Sequence, residues 1–116
     1  MSLSRVRLAI AQLNLTVGDL KGNCAKILEY AHKAAAQGVR ILLTPELSVT
    51  GYPPEDLLLR PSFQRQTDTA FEHLRQELAA LDLYVVVGHP VSREGELFNA
   101  ASVLYKGQVV GMYHKH

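Results

Sequence analysis

Between Leu20 and Ala35 apolar residues recur at helical spacing, and Gly38 separates that stripe from an apolar run that follows at once. Leu20, Cys24, Ile27, Leu28, Ala31, Ala34 and Ala35 fall on one side of a 3.6-residue helix. Asp19 precedes them and suits the N-cap, because its carboxylate can accept the orphan amide hydrogens of the first turn. Gly38 suits the position just past the last turn, where the backbone often turns left-handed. Residues 5–15 and 39–44 flank the helix. In the first of these runs, Val6, Leu8 and Ile10 share one face and Ala9, Ala11 and Leu13 the other. Strands apolar on both faces are predicted to be buried. Strand, helix and strand in that order predict a parallel pair joined by a crossover helix.

Residues 44–61 hold Pro45, Gly51, Pro53, Pro54 and Pro61 together with Leu57, Leu58 and Leu59. That is too apolar for a linker and predicts a structured loop with a short helical turn. Ser62 is placed to cap a second helix, whose inner stripe is Phe63, Thr67, Ala70, Phe71, Leu74, Leu78 and Leu81. Residues 83–88, centred on Val85-Val86-Val87, predict another buried strand. Residues 98–105 and 109–114 flank Lys106-Gly107, a two-residue hairpin turn. The expected order is β-α-β-α-β-β-β, a mixed α/β fold. Two helices cover only one side of such a sheet, so an apolar face and an edge are expected to need further chain or a partner.

The charge balance excludes whole classes of partner. Twelve Lys and Arg against eleven Asp and Glu leave a formal charge of +1, with the basic residues scattered. Neither a nucleic acid nor an anionic membrane surface is expected to bind. No apolar run approaches the roughly 20 residues of a membrane span. The single cysteine rules out an internal disulfide and a multi-cysteine metal site. With no signal-peptide pattern at the start, the expected location is cytoplasmic.

Several residues could carry chemistry. Glu46 follows the apolar run Ile41-Leu42-Leu43, at the carboxyl end of a parallel strand, where ligand sites concentrate. A carboxylate at such a mouth is partly desolvated, which suits a general base; a solvated loop carboxylate is the other reading. Lys115, at the end of the last strand, could stabilise an oxyanion or simply be surface. Cys24 lies on the inner stripe of its helix without a histidine neighbour, and it reads as a packing residue rather than a nucleophile. His114 and His116 alternate around Lys115 and could share a metal, but a third ligand is needed and His89 is a weak one, so no metal site is assigned. Gly51 permits a positive φ, and Pro53 and Pro54 stiffen the chain after it. A rigid active-site loop and a structural turn explain the segment through Asp56 equally well.

Three segments together resemble the nitrilase (carbon–nitrogen hydrolase) superfamily, over nearly the whole length from Arg5 to Lys115. They are Ala11-Gln12-Leu13-Asn14-Leu15-Thr16-Val17-Gly18-Asp19 with Asn23 following, residues 44–58 from Thr44-Pro45-Glu46 through Gly51-Tyr52-Pro53-Pro54-Glu55-Asp56, and Tyr113-His114-Lys115. The longer string from Gly51 to Pro61, with Phe63 beyond it, is similar to the glutaminase domain of glutamine-dependent NAD synthetases. Leu15 departs from the pattern, since many relatives have proline there.

The resemblance implies a Glu-Lys-Cys triad, with the glutamate at Glu46 and the lysine at Lys115. The triad cysteine is expected in a later segment, and Cys24 does not match it. Residues 1–116 are therefore expected to be the N-terminal portion of a nitrilase-type glutaminase domain, the first part of a four-layer α-β-β-α sandwich that ends before its nucleophile. The implied chemistry is glutamine hydrolysis through a thioester. The ammonia passes to a C-terminal synthetase domain that uses ATP and magnesium to amidate deamido-NAD. No cofactor is expected in this portion, and its own cofactor-binding residues are unknown. The resemblance also implies a homo-oligomer. Two alternatives stand beside this one: a stand-alone amidase of the superfamily, and a non-catalytic structural or interaction fragment, inactive alone and prone to self-association through its open apolar surface.

Overall fold

The computed structural model describes residues 6–51 and 60–115. Strands and helices follow one another as β1 (Leu8–Ile10), α1 (Leu20–Ala36), β2 (Ile41–Leu43), α2 (Pro61–Leu78), β3 (Tyr84–Arg93), β4 (Glu96–Tyr105) and β5 (Gln108–Lys115). This is the expected mixed α/β order. The strands form one sheet in chain order. β1, β2 and β3 are parallel, and β4 and β5 return antiparallel.

The ends of α1 are set by the residues that the sequence marks. The Gly22 amide donates to Asp19 Oδ1 at 3.0 Å, and Gly38 takes φ +77° just beyond the C-cap Gln37. α2 starts differently from expectation. Arg60 is its N-cap and Pro61 occupies the first turn, so Ser62 lies inside the helix and caps nothing. Proline is well suited there: its φ is already helical, and the amide hydrogen it lacks would have had no partner. The helical turn expected within 52–59 lies outside the described residues.

Both helices pack against the same face of the sheet. Ile27, Ala31 and Ala34 of α1 meet Phe71, Leu74 and Leu78 of α2 over Leu42, Val85, Val87 and Leu104. Each large side chain so buried contributes roughly 1.5–3 kcal/mol. The opposite face is open among the described residues, and this corrects the reading of residues 5–15 as a strand buried on both sides. Only Leu8–Ile10 pairs as strand, with Leu8 57% and Ile10 69% exposed. The alternation was read correctly, but only one of its two faces has a layer against it.

β3 runs past Gly88, its expected end, to Arg93, and a second hairpin joins it to β4. Glu94 and Gly95 both have positive φ, as do Lys106 and Gly107 in the next turn. Two consecutive positive values define the type I′ turn, whose twist matches that of paired strands. β4 and β5 then slip by one residue: Leu104 pairs with Val109 but Val103 pairs with Gly111. Val110 is the extra residue of a bulge. An unbroken ladder would set His114 opposite Asn99; the bulge sets Lys115 there instead.

Candidate functional site

Where β2 ends, the chain folds back over β3. The Thr44 amide donates to the Val86 carbonyl at 3.0 Å, and the Val49 amide donates to the Gly88 carbonyl at 3.1 Å. Thr44 Oγ1 also donates to the Val86 carbonyl, at 2.8 Å, and lies 2.8 Å from Ser48 Oγ. Ser48 Oγ in turn accepts from the Gly88 amide at 3.2 Å. Leu47 is buried in the left-handed region at φ 51°, a conformation that costs a non-glycine residue energy and persists only where its surroundings fix it. Gly51 closes the segment at φ +80° against the backbone of Thr16 and Val17, so the positive φ expected there is present. Asn23 secures the same segment from α1. Its Nδ2 donates to the carbonyls of Thr16 and Val49, and its Oδ1 accepts from the Thr16 amide.

This strapping fixes the backbone of Glu46 at the carboxyl end of β2, on the open side of the sheet. The carboxylate is exposed rather than partly desolvated as expected, because no described layer covers that side. Asn99 Nδ2 of β4 donates to Glu46 Oε1. Beside the pair is a hollow of about 230 Å³ lined by Thr44, Pro45, Glu46, Gly88, Asn99 and Tyr113, among others. Lys115 closes β5 directly opposite Asn99 in the register. Glu46 and Lys115, far apart in sequence, thus belong to the same end of the sheet, with Asn99 between them. Asn99 and Gly88 belong to this site as well, although neither stands out among the candidate residues of the sequence. The available signals were an amide amid the apolar residues of β4 and a glycine closing a run of three valines.

Cys24 belongs elsewhere. It is partly buried on α1, facing the groove between the helices, with Sγ 3.9 Å from the Ala70 carbonyl oxygen. The sheet stands between it and Glu46. Burial first, and the charge of Glu77 second, push its thiol up to about 11. His89 is also on the helix side. Its ring stacks on Phe71 with centroids 4.0 Å apart, and Nε2 lies 2.7 Å from Ser102 Oγ. Desolvation pushes it down to about 4, with the charge of His114 adding to that and a hydrogen bond to Pro90 opposing it. The His114 ring stacks on Phe98, and its Nε2 lies 2.9 Å from Met112 Sδ. His116 and the stretch from Tyr52 to Leu59 lie outside the described residues. Among the described residues no three metal-ligating side chains converge.

The comparisons place this sheet, with its two helices on one face and its strand-end glutamate, in a known family. The chain belongs to the carbon–nitrogen hydrolase family, whose model matches residues 7–116. It is 44% identical over 115 residues to a glutamine-dependent NAD(+) synthetase of Aquifex aeolicus, covering 96% of this chain and 19% of that protein. A Thermotoga maritima protein of the same name is 38% identical over 113 residues, with 97% and 19% covered. The chain therefore spans about a fifth of the length of these curated relatives. Among solved structures it resembles a glutamine-dependent NAD(+) synthetase from Cytophaga hutchinsonii, with a TM-score of 0.89, 29% identity, and 97% of this chain and 19% of that one covered. It also resembles a nitrilase-superfamily amidase from Nesterenkonia, with a TM-score of 0.85, 28% identity, and 95% and 42% covered.

Proposed function

We propose that this chain is part of the glutamine-hydrolysing unit of a glutamine-dependent NAD synthetase. The observation that carries this reading is the Glu46 carboxylate, held at the end of β2, in a chain 44% identical to an enzyme of that name. Glu46 is the general base, and Lys115 stabilises the oxyanion. A cysteine thiol supplied from outside residues 1–116 gives its proton to Glu46 and attacks the side-chain amide carbonyl of glutamine. The carbonyl oxygen becomes an oxyanion facing Lys115. Collapse of the tetrahedral intermediate breaks the C–N bond, and Glu46 returns the proton to the departing ammonia. Water then hydrolyses the thioester to glutamate.

On this reading the partners are glutamine and a C-terminal synthetase domain, which binds ATP and magnesium and uses the ammonia to amidate deamido-NAD. The complete protein is cytoplasmic and homo-oligomeric, and residues 1–116 alone are inactive because their nucleophile lies beyond them. The similarity to the Nesterenkonia amidase, with a TM-score of 0.85 and 28% identity, supports a second reading: an amidase without a synthetase domain.

The complete protein separates the two. Ammonia released from glutamine and coupled to ATP-dependent NAD formation supports the first; release from simple amides without ATP-linked synthesis supports the second. Glu46→Gln should fold normally and form no thioester. Lys115→Met should lower turnover more than thermal stability. Normal turnover by Glu46→Gln would remove Glu46 from the mechanism.

A further inference from the structure

The turn around Glu46 fixes where its backbone lies but leaves the side-chain torsions undetermined. Its Cα is held by the hydrogen bonds of Thr44, Ser48 and Val49 to β3. The carboxylate itself is exposed, and a free glutamate arm in water samples several rotamers. Among the described residues, the hydrogen bond that the structure gives this carboxylate comes from Asn99. Asn99 does not belong to the turn. It stands on β4, opposite Pro90 on one side and Lys115 on the other, and is therefore anchored by two ladders of the sheet.

The chemistry of this contact is specific. A carboxamide N–H is uncharged and stays protonated throughout the working pH range, so it can hold an ionised carboxylate without competing for the proton. It engages Oε1, which leaves Oε2 as the oxygen able to accept a proton from a nucleophile. We propose that Asn99 is a positioning residue for Glu46: it clamps one carboxylate oxygen and so presents the other to the nucleophile and to the leaving ammonia. The proposal rests on the glutaminase reading above, and its effect falls on proton transfer in acylation rather than on the affinity for glutamine.

The test uses the complete protein, with the wild type assayed first. If the wild type releases no ammonia from glutamine, the glutaminase reading fails and the role of Asn99 fails with it. If it does, Asn99→Asp is the informative variant, because it keeps the shape and removes the donor. Its acylation rate per titrated active site should fall about 100-fold, the scale of a mispositioned acid–base group, while KM for glutamine stays within about threefold. Asn99→Gln, which keeps an amide donor on a longer arm, should recover part of the loss. Should Asn99→Asp lower the thermal midpoint, Asn99→Ala removes the donor without adding charge and carries the same expectation. An Asn99→Asp or Asn99→Ala enzyme that acylates within twofold of the wild type overturns the proposal while leaving the glutaminase reading intact. An equal loss in Asn99→Gln and Asn99→Ala, tracking thermal stability, overturns it in favour of a purely structural asparagine.

Discussion

A Cβ on Gly88 would stand 2.5 Å from the backbone nitrogen of Leu47, so the Glu46 turn can rest on β3 only because position 88 carries no side chain. The Pro45 carbonyl oxygen would be 2.6 Å from the same atom. Both neighbours are backbone and cannot rotate away. Gly88→Ala should therefore lift the turn. Overpacking of this kind costs about 1–3 kcal/mol, read as a lower urea midpoint. In the complete protein, glutamine hydrolysis should fall further than stability does, because Glu46 moves with the turn. An alanine variant with unchanged midpoint and turnover would show that the turn does not depend on this contact.

Asn23 is fully buried and its side chain makes three hydrogen bonds, two to Thr16 and one to Val49. At about 1 kcal/mol net for each bond, Asn23→Ala should cost on the order of 3 kcal/mol in chemical denaturation. Asn23→Asp should cost more, since it keeps the acceptor for the Thr16 amide but aims a charge at two carbonyl oxygens. The reverse ranking would mean that packing rather than hydrogen bonding holds the residue in place.

His89 sets a pH dependence with a definite sign. Its folded value of about 4 lies below the 6.5 of an unperturbed histidine, so the unfolded chain takes up the proton first. The stability that comes from keeping the ring neutral is complete above about pH 6.5 and is lost as the pH falls from there toward 4. The full loss is on the order of 3 kcal/mol. His89→Gln, which cannot titrate, should show a flatter urea midpoint across that window. A wild-type midpoint that stays constant between pH 7 and pH 4.5 would rule out the buried neutral ring as its source.

Cys24, the one cysteine of the chain, should be a poor nucleophile. With its thiol raised to about 11, the thiolate fraction at pH 8 is roughly two orders of magnitude below that of an unperturbed cysteine. Labelling of residues 1–116 by a disulfide reagent should be slower than in urea by about that factor. Labelling as fast in the folded chain as in urea would make Cys24 a candidate nucleophile again.

Much of this architecture was legible because local chemistry and tertiary packing agree. Asp19 and Gly38 mark the ends of α1, and the stripes of α1 and α2 do face the core, although α2 ends at Leu78 and Leu81 packs from beyond it. Lys106-Gly107 forms the expected turn. The failures have physical causes. The start of α2 was misplaced because Pro61 can open a helix without a side-chain cap, whereas Ser62 was read as the cap. The exposure of Leu8 and Ile10 could not be read from alternation, which reports that two faces are apolar but not whether both are covered. Asn99 was missed because its meaning lies in a partner remote in sequence. Its alignment with Lys115 depends on a bulge at Val110, a residue that looks like any other strand valine.

The support of the Glu46 turn by β3 also sets an order of assembly. A chain emerging from its N-terminus completes β2 and residue 46 well before Gly88 exists. The parallel pairing of β2 with β3 must close a loop containing all of α2, whereas β3, β4 and β5 join through two-residue turns and need only local closure. The meander is thus the cheap part to form, and the carboxylate's support has to wait for it. A nascent chain paused before residue 88 can hold a helix and an apolar strand, but it has no floor on which to build the site.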